Sequence, residues 1–409
     1  MSTTALTFAY RGRDSSGKVV KGRVDAPTEA AVVSRLRVMG VAPISIEPAA
    51  AATGLNMEIN FSLGRKVKIK DLAVVTRQMA TMIGSGLSLL RTLTIITEQT
   101  ENKALAKAFD LVRGDVEAGA SLSDALAKHP DTFPPLMLNL IRAGETGGFL
   151  EGALQSVATN YEAEVKLSGR IKSALTYPVI VLLIAVVAVA AMLIFIVPVF
   201  EAMFKQLNAP LPAPTEFLVL LSHGMVFIVP ITVVGGIIFA VWWRKNKNND
   251  RVRSFVDPIK LKIPVFGELN KKVAVARLTR NLATMMGAGV PILKSLTIVG
   301  STSGNWVIEQ ALIKVADSVR QGQSIAAPLA QEKIFPNMVT QMIAVGEDSG
   351  ALEVMLHKVS DFYDQEVEAM TEQLTALIEP LMIAVIGVLI GGMIVALYMP
   401  IFDIYNHVK

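Results

Sequence analysis

Three stretches of this chain contain no Asp, Glu, Lys or Arg: residues 173–200, 217–243 and 380–402, of 28, 27 and 23 residues. About 20 apolar residues are enough to cross the hydrocarbon core of a bilayer. A helix buried in a soluble protein rarely stays uncharged for so long, and each charge at the middle of a membrane helix costs ~2.5–3.5 kcal/mol. The pattern predicts three transmembrane helices, over 178–200, 217–243 and 380–402. Pro178, Pro198, Pro230, Pro380 and Pro400 punctuate them. Neighbouring helices can satisfy the backbone groups that proline frees, so these positions predict kinks rather than breaks. Gly387 and Gly391, one turn apart in the third span, are candidates for close helix packing in the membrane.

Between the spans the apolar positions recur at helical spacing, and they do so twice. Arg77–Ile95 aligns with Arg280–Ile298 with ten of nineteen positions identical. The turn Gly144-Glu145-Thr146-Gly147-Gly148 matches Gly346-Glu347-Asp348-Ser349-Gly350, and Pro178 and Pro198 match Pro380 and Pro400. The offset falls from 203 to 202, so one residue has been lost between the two blocks. Leu72, Val75, Met79 and Met82, with Val275, Leu278, Leu282 and Met285, form equivalent stripes on a first helix. Gly84–Gly86 and Gly287–Gly289 stop that helix. Ser121 and Asp124 suit a helix start, as do Pro134 and Pro336. A last helix carries Leu150, Leu154, Val157, Tyr161 and Val165, mirrored by Leu352, Leu356, Val359, Tyr363 and Val367, and runs towards a span in each copy.

The expected fold is therefore mainly α: a polytopic membrane protein with three transmembrane helices, two homologous cytoplasmic helical bundles and a small α+β segment at the N-terminus. The segment occupies 1–48, with strands at Phe8–Arg11, Lys18–Val24 and Val41–Ile46 and a helix over Thr28–Met39. A linker follows at 49–66, then a first bundle over 67–177 and a second over 244–379. The loop 201–216 and the tail 403–409 connect or end the spans. Helix 217–243 has no counterpart in the repeat, and it is required if both bundles are to face the same side.

Charge sets the orientation. Lys166, Arg170 and Lys172 precede the first span and Arg244, Lys245, Lys247, Arg251 and Arg253 follow the second, whereas 201–216 carries only Lys205. The positive-inside rule places the N-terminus and 244–379 in the cytoplasm, and 201–216 and the C-terminal tail outside. The first residues lack the basic and apolar regions of a cleavable signal peptide. The formal charge of +4 is too small and dispersed for nucleic acid as a partner.

Candidate chemistry is sparse. The chain has no cysteine, which excludes disulfides and thiolate chemistry, and four scattered histidines without a metal partner at ligand spacing. His223 suits a pore lining or local satisfaction at the interface. Gly12–Lys18 superficially resembles a phosphate-binding loop, but it leads into a strand and reads as a hairpin turn. The spans lack the internal charges of ion or proton pathways, which counts against a transporter, and no catalytic pair suggests an intramembrane enzyme. No catalytic, cofactor-binding or metal residue is assigned. The acidic stripe Asp361, Asp364 and Glu368 suits a solvated face, with a metal or protein contact as the alternative. Glu145 and Glu347 either cap the helix that follows them or present charge to a partner.

Taken in order, these features resemble the type II secretion system F family, the inner-membrane platform proteins of type IV pili and type II secretion systems. The features that carry the resemblance are the segment Tyr10–Gly40, both Arg-x-x-Ala-Thr-x-x-Gly-x-Gly blocks, both Gly-Glu-x-x-Gly-x-Leu turns and the Pro-x-Phe span ends. The resemblance implies six-helix cytoplasmic bundles, a homo-oligomer in the bacterial inner membrane and no catalytic activity. The implied role is coupling a cytoplasmic hexameric assembly ATPase to insertion of pilin or pseudopilin subunits, alongside other inner-membrane assembly proteins. A membrane transporter or a scaffold of another envelope machine is the alternative. Contact candidates carried over are Arg77, Gly144, Glu145, Gly148, Arg280, Gly346, Glu347 and Gly350.

Overall fold

The computed structural model describes residues 6–13, 19–26, 28–38, 40, 42–48, 67–206 and 211–407. They form two compact units, 1–64 and 65–409. In the small unit β1 (Leu6–Arg13), β2 (Val19–Ala26) and β3 (Ala42–Pro48) make an antiparallel sheet of order β2-β1-β3. Helix α1 (Glu29–Val38) buries Val32 and Leu36 against Phe8 and Ala26. The expected turn at Asp14–Gly17, most of the phosphate-loop-like segment and the linker 49–66 lie outside the described residues. Val19 pairs with Arg13 in the ladder, so the chain after Lys18 enters a strand, and no helix N-terminus stands there to bind phosphate.

The large unit holds both repeats. The first contains α2 (Ile69–Gly84), α3 (Leu89–Gln99), α4 (Lys103–Glu117), α5 (Leu122–Ala127), α6 (Pro135–Gly147) and α7 (Leu150–Ala191). A π turn (Met192–Ile196), α8 (Val197–Gln206), α9 (Ala213–Asn246) and α10 (Asp250–Lys262) follow. The second repeat contains α11 (Phe266–Gly287), α12 (Ile292–Thr302), α13 (Trp306–Arg320), α14 (Ala326–Gln331), α15 (Asn337–Ser349) and α16 (Leu352–His407). Each bundle thus has six helices, with α2 lying along α7 and α11 along α16.

The periodic stripes are the contact faces. Leu72, Val75 and Met79 are buried with Leu154, Val157 and Tyr161, and the equivalent residues of the second repeat are buried likewise. Met82, Leu150, Val165 and Leu352 pack at the edge of that core. Gly86 (φ 86°) and Gly289 (φ 71°) end the first helix of each repeat in a left-handed conformation that other residues adopt at a cost. The Ser121 hydroxyl accepts the Asp124 N–H at 3.1 Å, and Pro134 and Pro336 stand immediately before α6 and α15.

Three helices are long and apolar enough to cross a membrane. Two of them are far longer than a bilayer requires: 150–206 is 57 residues through the π turn, and α16 is 56. At 1.5 Å per residue each reaches about 85 Å, against about 30 Å of hydrocarbon. The last bundle helix and the span are one element in both copies. Pro178, Pro230 and Pro380 lie inside unbroken helices. Helix also takes over much of the expected loop 201–216, since α8 runs to Gln206 and α9 begins at Ala213, and α16 continues into the expected tail to His407. Glu201 does not end α8 because its carboxylate is tucked in, 8% exposed, against Lys205 Nζ (2.5 Å) and His223 Nε2 (3.0 Å). His223 is thereby satisfied locally.

Two prolines explain how the spans meet. In the π turn the Val197 N–H bonds to Met192 rather than to Leu193. The next donor that could reach the Leu193 carbonyl belongs to Pro198, which has no N–H. The Ser222 hydroxyl of α9 donates to that carbonyl at 2.5 Å. Pro400 likewise leaves the Ala396 carbonyl, four residues earlier, without its helical donor. The Thr215 hydroxyl of α9 donates to it at 2.5 Å. The two hydroxyls are buried beside an apolar cluster that includes Leu193, Val197, Leu218 and Met393. The unduplicated helix therefore supplies the donor that each duplicated span lacks. Thr215→Val with Ser222→Ala should destabilise the detergent-solubilised protein by about 0.6–1.7 kcal/mol per hydroxyl, read as a lower thermal midpoint. Ser156→Ala, on an exposed helix face, should leave it unchanged.

Candidate coupling site between the repeats and the spans

The two Gly-Glu turns have the same internal architecture. Gly148 (φ 75°) and Gly350 (φ 68°) are the left-handed residues that end α6 and α15. Gly144 and Gly346 instead lie within those helices. Their role is close approach: a Cβ on Gly144 would fall 2.4 Å from Ala153 Cβ, and one on Gly346 would fall 2.9 Å from Leu352 Cα. The carboxylates turn inward. Glu145 accepts the N–H groups of Leu122 (2.5 Å) and Ser123 (2.9 Å), and Glu347 accepts those of Ile325 (2.6 Å) and Ala326 (2.8 Å). Each glutamate thus caps the short helix before it in the chain, α5 or α14, and not the helix that follows. A carboxylate suits that place because the first N–H groups of a helix have no partner within it.

Arg77 and Arg280 are also engaged within the chain. Arg77 binds Glu162 through two bonds (2.7 and 2.6 Å) and Thr159 (3.1 Å), tying α2 to α7. Arg280 pairs with Asp364, tying α11 to α16. The acids differ by the repeat offset of 202, so the clamp was duplicated with the fold. Its surroundings were not. The Arg77 side chain is 31% exposed, whereas that of Arg280 is 8% exposed because α7 of the first repeat packs beside α11. Arg280 is therefore not a surface residue of this chain.

One apolar cluster runs through both repeats, and polar pairs join them beside it. Asn160, buried on α7, donates to Asn281 Oδ1 (2.9 Å) and Thr284 Oγ1 (3.2 Å) of α11. Glu164 pairs with Arg277, and Arg170 with Glu368 at 2.6 Å. Lys166, Arg170, Asp361, Asp364, Gln365 and Glu368 line a cavity of about 410 Å³ between α7 and α16. The acidic stripe is thus divided, with Asp364 on Arg280 and Glu368 on Arg170. The described residues contain no cluster of three or more His, Asp or Glu arranged to hold a metal ion. Gly387 and Gly391 have nothing within 4 Å of where a Cβ would stand, so they pack no helix within this chain.

Electrostatics separates the two neighbouring glutamates in the bundle part of α7. Hydrogen bonding to Arg77 holds the Glu162 carboxyl below the usual range. Burial pushes the Glu164 carboxyl up, against the opposing pull of Arg277. Glu162, Glu164, Asn160, Arg277, Thr215 and Ser222 were not singled out from the sequence. The available signal was an arginine and an acid recurring in both copies, 85 and 84 residues apart, the difference being the one residue lost between the repeat blocks.

The sequence profile described as type II secretion system protein F matches residues 75–198 and again 278–400, and that of its N-terminal domain matches 1–47. The chain belongs to this family. The protein F unit is a bundle plus its span: each match begins on α2 or α11 and ends at Pro198 or Pro400, with α9 and α10 lying between the matches. The chain is 40% identical to the type IV pilus assembly protein PilC of Myxococcus xanthus, over 98% of this chain and 96% of the relative. It is 40% identical to PilC of Thermus thermophilus over 97% and 98% of the two chains. It is 32% identical to the type II secretion system protein F of Xanthomonas campestris over 98% and 99%.

Two outcomes follow for this protein F chain. Arg280→Ala should cost about 1–3 kcal/mol, because it removes the buried partner of the Asp364 carboxylate; Arg77→Ala should cost less than about 1 kcal/mol, both read by thermal unfolding in detergent. The raised Glu164 carboxyl takes up protons in the folded state above the ordinary value of 4.5, so its contribution to stability falls as pH rises through that window. Glu164→Gln should flatten the fall of the melting temperature as pH rises above 4.5.

Proposed function

We propose that the chain is a non-enzymatic platform protein of the bacterial inner membrane that couples a cytoplasmic hexameric assembly ATPase to the insertion of pilin or pseudopilin subunits. The N-terminus and both bundles face the cytoplasm, and the C-terminus lies outside. Relatives named for pilus assembly reach 40% identity and those named for secretion reach 32%, which favours a type IV pilus.

The observation that carries this reading is the fusion of bundle and span in α7 and α16. A helix without a break transmits tilt and rotation, whereas a flexible linker dissipates them. The polar groove between α7 and α16 lets the long helices shift by exchanging charge pairs rather than by exposing core. The motor side is formed by the Gly-Glu turns at Gly144–Gly148 and Gly346–Gly350 with the exposed face of α2 that carries Arg77. Glu145 and Glu347 hold those turns in shape from behind. Thr146-Gly147 in one turn is Asp348-Ser349 in the other, so the turns present different chemistry to their partners. The platform works as an oligomer, with Gly387 and Gly391 of the third span left without a packing partner in this chain and open to a neighbouring membrane helix.

Inserting three glycines after Ser173 and, separately, after Ala376 tests the reading. Both variants should reach the membrane in normal amount and abolish filament assembly, scored by electron microscopy of cells. Intact assembly would remove the argument for rigid transmission.

A further inference from the structure

The segment joining α9 to α11 is not used by the coupling mechanism, yet it carries an unusual surface. From Arg244 to Lys262 there are seven Lys or Arg and two Asp. Arg253 and Lys260 are paired, with Glu309 (2.7 Å) and Asp257 (2.9 Å). The other five cations make no ion pair among the described residues.

Helix α10 is fastened by one face only. Asp257 is buried and accepts the Trp306 N–H at 3.0 Å, and Arg253 reaches Glu309 on the same side. The opposite face repeats at helical spacing as Arg251, Phe255, Ile259 and Lys262. Phe255 is 71% exposed and Ile259 46%, and no large apolar residue outside the spans is more exposed than Phe255 among the described residues. The apolar surface continues through Ile263, Val265 and Phe266. Val265 has a φ of 66°, the one positive value at a non-glycine residue among those described. A branched side chain disfavours that conformation, and Gly267 behind it has no room for a Cβ, which would lie 2.3 Å from the Leu261 carbonyl oxygen. The tight turn holds the apolar residues outward.

Position identifies the partner. Trp242 and Trp243 end the span, at the depth where aromatic residues mark a membrane interface. Three residues separate α9 from α10, a reach of about 10 Å. At this elbow a cavity of about 430 Å³ is lined by Trp243, Lys247, Arg253 and Lys260, among others. We propose that the elbow is an anchor for anionic phospholipid. The face bearing Phe255 and Ile259 lies in the interfacial layer, Arg251 and Lys262 meet anionic headgroups around it, and the cavity beside Lys247 receives a lipid phosphate. Basic residues flanking an apolar helix face suit such a layer by charge and by burial together. The anchor fixes the second bundle against the bilayer surface, so motion of α16 occurs relative to a held point.

The inference rests on α9 being a membrane span, and the test separates the two. The chain has no cysteine, so single labels are unambiguous. Full-length protein carrying a nitroxide at Phe255→Cys, Ile259→Cys, Ile237→Cys or Asp348→Cys is reconstituted into vesicles of phosphatidylcholine with or without phosphatidylglycerol. Relaxation by oxygen and by a water-soluble nickel chelate reports depth. The label at 237 should read lipid in both vesicle types, and that at 348 should read water. Labels at 255 and 259 should favour oxygen several-fold over nickel with phosphatidylglycerol, and lose that preference without it or when Lys247→Gln, Arg251→Gln and Lys262→Gln are combined. The proposal falls if 255 and 259 match 348 in phosphatidylglycerol while 237 reads lipid. It also falls if both sites are shielded from both reagents, the result expected of a second protein chain. Failure at 237 would instead overturn the span itself.

Discussion

Within a bilayer no water is available to satisfy a backbone carbonyl, and that constraint organises this molecule from the bundles to the far ends of the spans. It keeps α7 and α16 helical past Pro178 and Pro380. Where Pro198 and Pro400 remove a donor, the orphaned carbonyls of Leu193 and Ala396 recruit the hydroxyls of Ser222 and Thr215. The middle span is therefore more than a topological return. It stitches two prolines, related by the repeat, into one small membrane core, and it does so near its N-terminus alone. Beyond Ser222, none of its residues is buried within the chain.

The duplication copied parts without copying their surroundings. The Arg77–Glu162 clamp and its counterpart Arg280–Asp364 perform the same task of tying a first bundle helix to a last one. The first is partly open to water and the second is covered by a helix of the other repeat. Asn160 is buried against Asn281, while the residue at the equivalent place in the second copy, Phe362, is exposed. The two repeats thus meet face to back, and each presents outward a surface that the other conceals. The two bundles therefore present two different surfaces built on one plan.

Charge is concentrated where α7 and α16 run side by side. The apolar core is continuous through both bundles, and amides, hydroxyls and ion pairs join the two beside it, around a largely polar cavity. A partly exposed ion pair contributes little net stability and can be exchanged for another at small cost. The Gly-Glu turns follow the same economy of roles. One glycine permits the turn, the other allows close helix approach, and the glutamate holds the preceding helix from inside.

Much of this architecture was legible in residue order. Charge-free length determines the three spans, the 3.6-residue period determines the buried stripes from Leu72 to Met79 and from Leu154 to Tyr161, and self-similarity determines the duplication. These features depend on local geometry and solvent, which a linear pattern records directly. What tertiary structure alone decided was which polar groups meet. Glu145 reaches a helix 22 residues behind it rather than the one ahead, Ser222 reaches a carbonyl 29 residues away, and α7 covers Arg280 but leaves Arg77 open. Periodicity states which face of a helix is apolar. It does not state which neighbour arrives on the polar face, because the hydrogen bonds and ion pairs made there depend on distances fixed when the helices pack.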